Sequence, residues 1–201
     1  MASILQNLTS TVIAGIILCI VMIAVVTGTY GQGLDFSFSW WAFFFRWLHV
    51  LSGVMWIGLL WYFNFVQIPT MPKVPDEHKP GISKHIAPAA LFWFRWGAMA
   101  TIITGLILAM YGGYFLEAIA LGIGSADPRH TAIGIGMWLG AIMWFNVWFV
   151  IWPNQKRALG MVECDADIKA KSARMAMLFS RTNTLLSLPM LFTMVAAQNL
   201  Y

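Results

Sequence analysis

Residues 40–66 read WWAFFFRWLHVLSGVMWIGLLWYFNFV. Aromatic and aliphatic side chains fill nearly every position, and Arg46 is the one Lys, Arg, Asp or Glu among them. A helix on the surface of a soluble protein carries a polar face at a period of 3.6 residues. This stretch has no such face. It also exceeds the roughly 20 residues that carry a helix across a hydrocarbon layer of about 30 Å. It reads as a transmembrane helix.

Composition extends that reading to the whole chain. Of 201 residues, 60% are hydrophobic and 10% charged, with 11 Trp and 14 Phe. A soluble domain carries about 25% charge, so a soluble globule and a disordered chain are both excluded. The two cysteines, Cys19 and Cys164, exclude a disulfide framework and a cysteine-rich metal site. The net charge of +4 is small and fits anionic lipid headgroups; it calls for no nucleic-acid partner.

Five apolar stretches qualify as spans: about 11–30, 43–67, 89–111, 132–152 and 175–197. No loop between them is long enough to fold alone. The expected fold is all-α: one polytopic transmembrane helix bundle of about five spans, forming a single integral membrane domain over 1–201. The first stretch could be taken for a signal peptide, but no Lys or Arg precedes Arg46 and no small-x-small cleavage pattern follows it. It is expected to be a retained helix. Lys73, Lys79 and Lys84 lie in the loop before the third span. Lys156, Arg157, Lys169, Lys171 and Arg174 lie in the loop before the fifth. The positive-inside rule puts both loops in the cytoplasm, the N-terminus inside and the C-terminus outside. The expected location is a membrane that the chain crosses several times, with the basic loops on its cytoplasmic side.

Acid-to-base pairs four residues apart, Asp165 with Lys169 and Asp167 with Lys171, make the last loop partly helical. Pro189 should kink the fifth span and free a carbonyl near Leu185. Gly136 and Gly140 form a GxxxG that permits close helix packing.

Polar residues inside spans are costly and therefore candidates for function. They fall into two clusters by depth. The outer one has Arg46 and His49, three apart on one helix face, with Gly53 leaving room a turn further on. His130 stands at the outer end of the fourth span. Neutral imidazole is a good axial ligand for haem iron, so His49 is the candidate metal ligand, with Arg46 for a haem propionate and His130 as a weaker cofactor candidate. The inner cluster has Asn64, Gln67, Arg95, Asn146, Arg181, Thr182 and Asn183. No Asp or Glu falls inside the five stretches, so these arginines suggest an anion. Trp93, Trp96 and Trp144 could offer flat faces to a planar, hydrogen-bonding one. The alternative is structural: the arginines snorkel and the amides tie helices together. His78 and His85 fit a solvated, proline-rich loop, His85 being near enough to the third span to stay a minor candidate. CxxCH, HExxH and Walker A motifs are absent.

Three segments carry a family resemblance. They are Arg46-Trp47-Leu48-His49-Val50 with Gly53 and Trp56-Ile57-Gly58; Trp93-Phe94-Arg95-Trp96-Gly97-Ala98 with Thr104-Gly105; and Trp152-Pro153-Asn154-Gln155-Lys156. Together they resemble the membrane domain of bacterial PuuD-type urate oxidases, the urate oxidase N-terminal family, over roughly 43–157. The resemblance implies an integral membrane oxidoreductase of purine catabolism that hydroxylates urate and passes electrons to cytochrome c. Longer members carry a C-terminal cytochrome c domain. Here the chain ends at Tyr201, so a separate cytochrome c is the expected acceptor. The family's motif positions map onto His49, Arg46, Arg95, Asn154 and Gln155.

The combined expectation is substrate oxidation at the inner cluster and electron exit through a haem b at His49. Arg95, Asn146 and Arg181 are the candidate catalytic residues. Asn64, Gln67, Trp96, Asn154 and Gln155 are the candidate substrate contacts. Two other readings fit the composition: an accessory membrane subunit of a larger respiratory or photosynthetic complex, and a small-anion transporter.

Overall fold

The computed structural model describes residues 2–29 and 36–201. Tyr30, the expected end of the first span, lies outside the described residues. Among those described there is no strand. After one helical turn at Ala2–Leu5 come six helices: α1 (Leu8–Thr29), α2 (Phe38–Lys73), α3 (Lys79–Tyr111), α4 (Phe115–Ile119), α5 (Pro128–Ala158) and α6 (Ala166–Asn199). The fold is an all-α helix bundle, and α1, α2, α3 and α5 are long and apolar enough to cross a membrane.

The chain divides into two units, 1–41 and 42–201. In the first, α1 has no buried residue. It is apolar all round, which suits a helix covered by lipid.

In the second unit the helices alternate in direction. His49 meets Thr101 while Phe63 meets Phe94, so α2 and α3 are antiparallel. Trp61 bonds Ser187 and Asn64 bonds Ser180, which sets α6 antiparallel to α2. Asn146 bonds Asn183, and Gly136 faces Met194, which does the same for α5 and α6. The two connections, 74–78 and 159–165, therefore share one end of the bundle. The helix ends that flank them carry Lys73, Lys79, Lys156, Arg157 and Lys169, which makes these the basic connections.

Those connections are much shorter than the sequence suggests, because the helices run on through three prolines. Proline lacks an N–H, and its ring clashes with the carbonyl four residues back. The backbone widens into π-helical turns at Tyr62–Gln67, Ile82–Ile86 and Asn146–Ile151. Each ends two residues before a proline: Pro69, Pro88 and Pro153. The wider turn shifts the carbonyl that the ring would strike, so each proline marks a bulge rather than a helix end.

The fifth expected span is α6. It is helical from Ala166, as the acid-to-base pairs suggest, and it continues through Pro189. It is less apolar than the other four long helices, since its buried face includes Ser172, Ser180, Asn183 and Ser187. Hydroxyls and amides joining helices are the expected adhesive where lipid removes the hydrophobic drive to pack.

The main core lies in the half of the bundle nearer the basic connections. Trp56, Leu60 and Phe63 meet Leu91, Phe94 and Ala98 of α3, Met143, Val147 and Ile151 of α5, and Met190 of α6. At the far end, α4 lies across α5. A Cβ placed on Gly134 would stand 2.2 Å from the Ala118 carbonyl oxygen, and Trp138 Nε1 donates to the Ile119 carbonyl at 3.1 Å. The α4 exit turns through Leu121 and Gly122, both at positive φ, the region where a side chain is strained and glycine is not. Asp127 then caps α5, accepting from the Arg129 amide at 2.9 Å. The Arg129 guanidinium beside it holds its carboxyl down to about 2.

The GxxxG pair divides in two. A Cβ on Gly136 would meet Thr193 and Met194 at 2.9–3.1 Å, whereas one on Gly140 would meet nothing within 4 Å. Gly136 permits close packing, and Gly140 faces open space.

Candidate functional site

That open space is a cavity of about 710 Å³ between α2, α3, α5 and α6, in the half of the bundle away from the basic connections. Cavities of about 300–1,000 Å³ hold drug-sized ligands and cofactors. The walls are largely apolar. Three lining glycines, Gly53 and Gly58 of α2 and Gly140 of α5, have no atom within 4 Å of where a Cβ would sit. Larger residues there would project into the space.

His49 stands in the wall with its ring orientation set from α3. Its Nδ1 lies 2.9 Å from the Thr101 carbonyl oxygen. A carbonyl can only accept, so Nδ1 carries the proton and Nε2 keeps its lone pair. The Thr104 hydroxyl lies 3.4 Å from the same Nδ1 but is already committed to the Ala100 carbonyl at 2.6 Å. The ring rests on Gly105, where a Cβ would come 2.8 Å from His49 Cε1. A tethered Nδ1–H with a free Nε2 is the arrangement that orients a metal-binding imidazole.

Arg46 and Tyr114 line the same cavity. Burial pushes the Tyr114 phenol above its usual value, and the Arg46 charge draws it partly back. Thr101, Gly105, Tyr114 and Gly140 are site residues that were not singled out as ligands or walls. Gly105 and Gly140 fall inside quoted motifs; for Thr101 and Tyr114, only helix pairing shows the role.

His130 is not part of this wall. Its Nδ1 lies 2.7 Å from Ser125 Oγ, in a separate shallow pocket with Glu117. Among the described residues, no group of three or more His, Cys, Asp or Glu is placed to hold a metal ion.

The inner cluster is dispersed. Asn146 Nδ2 donates to Asn183 Oδ1 at 2.8 Å, and Asn183 Nδ2 donates to the Met143 carbonyl at 2.9 Å. Both amides are buried, Asn183 completely, and together they clasp α5 to α6. Arg181 sits two residues before Asn183, on the opposite, exposed side of α6. Asn64 joins α2 to α6 through Ser180 at 2.8 Å. Gln67 Oε1 and Asn64 Oδ1 are buried without partners. Asn154 bonds back to the Val150 carbonyl, with Gln155 half-buried beside it. Trp93 and Trp96 point outward, 56% and 49% exposed. His85 is exposed, and His78 is an exposed neighbour of Glu77.

Arg95 is placed differently. Its guanidinium carbon lies 3.2 Å from the Trp152 ring centroid and 5.8 Å from that of Trp148.

The clasp makes a direct prediction. Asn183→Ala removes a donor and an acceptor at once, leaving the Asn146 amide buried and unpaired and the Met143 carbonyl with only the Asn146 backbone N–H. An unpaired buried polar group costs about 1–3 kcal/mol. Thermal unfolding in detergent should fall by several degrees, with Thr182→Ala, on the exposed side, unchanged.

Comparison with known proteins bears on residues 125–200, which match the family described as urate oxidase N-terminal. Over these residues, well under half of the chain, it is similar to that family. No curated protein and no solved structure matches the chain. The family match takes in Trp152–Lys156, the Asn146–Asn183 clasp, and the α5 and α6 walls of the cavity. The Arg46–Gly58 and Trp93–Gly105 segments lie outside it.

Proposed function

We propose that the protein is a haem-linked membrane oxidoreductase of urate oxidase type, with the glycine-walled cavity as its cofactor site. The observation that carries this is His49: its Nδ1–H is tied to Thr101, and its Nε2 lone pair is free in a cavity of cofactor size. A quinone or other carbonyl ligand would want a donor at Nε2, whereas iron accepts the lone pair. The fit has three further parts. Gly105 seats the imidazole, Gly53 and Gly140 keep the space open for a flat group, and Arg46 supplies a cation for a propionate. When bound, haem supplies a one-electron carrier.

The chain's own residues bind and orient. Thr101 fixes the His49 tautomer, and the apolar walls keep water from the site. The membrane is the bacterial inner one, with the basic connections in the cytoplasm. The cavity then lies toward the outer face, where a separate cytochrome c can take electrons. The reaction class is urate oxidation, supported by the family match.

Two measurements test the reading. The full chain, expressed with ample haem and purified in detergent, should show a Soret band that sharpens on reduction. Membranes containing it should reduce added cytochrome c when supplied with urate, and not without urate. A colourless protein overturns the cofactor assignment. A haem-loaded protein inert to urate overturns the substrate class alone.

A further inference from the structure

Arg95 is the least explained charge in the bundle. Its Nε is buried without a hydrogen-bond partner, and so is the indole Nε1 of Trp148 beside it. Among the described residues no carboxylate lies within ion-pair distance of Arg95. The face of Trp152 holds Arg95 at 3.2 Å, and Lys156 Nζ lies 5.7 Å from the same ring. Lys156 also lacks an acidic partner among the described residues. One indole thus gathers two cations, next to two N–H donors that nothing accepts. A buried donor without an acceptor costs free energy, and so does unpaired positive charge. An oxyanion relieves both.

Depth identifies the oxyanion. Two long helices of the second unit, α2 and α6, carry polar groups at two levels. On α2, Arg46 and Asn64 are 18 residues apart, or about 27 Å at 1.5 Å per residue. On α6, Arg181 and Asn199 are separated by the same span. That spacing matches the roughly 30 Å of a bilayer's hydrocarbon. Phe94 packs on Phe63, Asn64 meets Ser180 and Arg95 meets Trp152, so Arg95 lies at the boundary on the side of the basic connections, level with Asn64, Arg181 and the α5 end at Trp152. Phe92, Trp93 and Trp96 are 48–56% exposed around it, the aromatic belt of a membrane interface. A phosphate at that level, beside lipid-facing aromatics, belongs to a lipid.

We infer that Arg95, Trp148, Trp152 and Lys156 form a binding site for the headgroup phosphate of an anionic phospholipid. The site is separate from the His49 cavity, which opens in the other half of the bundle. Half-buried Arg95 supplies a charge and the buried Nε–H, Trp148 an indole N–H, and Lys156 a second cation at the rim. Trp152 holds the guanidinium in place, so little ordering remains when the lipid binds.

The test uses the full chain in nanodiscs of phosphatidylcholine doped with phosphatidylglycerol, followed by mild detergent extraction and native mass spectrometry of retained lipid. The parent should retain phosphatidylglycerol at least about fivefold over its share of the bilayer. Arg95→Gln, which keeps length and donors but removes charge, should lose that enrichment. Lys156→Ala, at a half-exposed position that leaves the fold intact, should reduce it by half or more. Excess inorganic phosphate should not displace the lipid. Enrichment unchanged in both variants overturns the proposal. Displacement by inorganic phosphate overturns the lipid as the source and leaves a soluble oxyanion.

Discussion

His49→Ala should purify without the Soret band that the parent carries, with haem occupancy reduced at least about tenfold. Partners that merely orient a ligating histidine already change metal affinity by 10–100-fold, and this substitution removes the ligand itself. The fold should survive, since His49 is only half-buried and lies outside the main core. Two companions separate ligation from collapse. Gly53→Leu leaves His49 and Thr101 untouched but fills space that is empty around Gly53, so it should also lose haem. Imidazole added to His49→Ala should enter the vacated position and restore part of the band. Normal haem content in both His49→Ala and Gly53→Leu would remove the cavity as the cofactor site.

Gly134→Ala should be the most damaging of the conservative substitutions in α5. The new methyl would stand 2.2 Å from the Ala118 carbonyl oxygen and 3.1 Å from its carbon. These are backbone atoms of α4, with no rotamer to yield, so α4 must lift off α5. That movement also stretches the Trp138 bond to Ile119 and opens the small cluster of Ala118, Ala132, Ile133 and Ala197. Overpacking of this kind costs about 1–3 kcal/mol. At about 2–4 °C per kcal/mol for a chain this size, thermal unfolding in detergent should begin several degrees lower. Gly140→Ala, six residues along the same helix, meets nothing within 4 Å and should unfold with the parent. Equal midpoints for the two variants would show that α4 is not seated on α5 as described.

The contrast between Gly134 and Gly140 shows where sequence reading reaches its limit. A GxxxG spacing marks glycines that can approach another backbone, but it does not say which of them does. Gly136 fills that role against α6, Gly140 borders the cavity, and the closest approach falls at Gly134, outside the motif. The polar residues behave likewise. Asn146 and Arg181 were grouped because they share a depth. Depth follows from residue number, but the direction a side chain faces follows from the partner helix. Asn183 points inward and holds Asn146; Arg181, two residues away, points out.

Three features were determined by the sequence alone. Apolar runs without a polar face can rest only in lipid, so the all-α membrane bundle follows from composition and length. The antiparallel order of α2, α3, α5 and α6 follows because each successive span recrosses the layer, which brings the Lys- and Arg-rich loops to one side. His49 and Gly53 stand out because a histidine is costly within an apolar helix and a glycine beside it leaves room.

Tertiary structure decided the rest. Pro69, Pro88 and Pro153 read as helix ends, because the sequence does not show that a widened turn can absorb the ring. The tautomer of His49 depends on the Thr101 carbonyl, and the pairing of Arg95 with Trp152 depends on how α3 lies against α5. The cavity exists because the helices pack closely at the Trp56–Phe94–Val147 level and leave space around Gly53 and Gly140. These are properties of residues far apart in the chain, and their chemistry is set only when the helices meet.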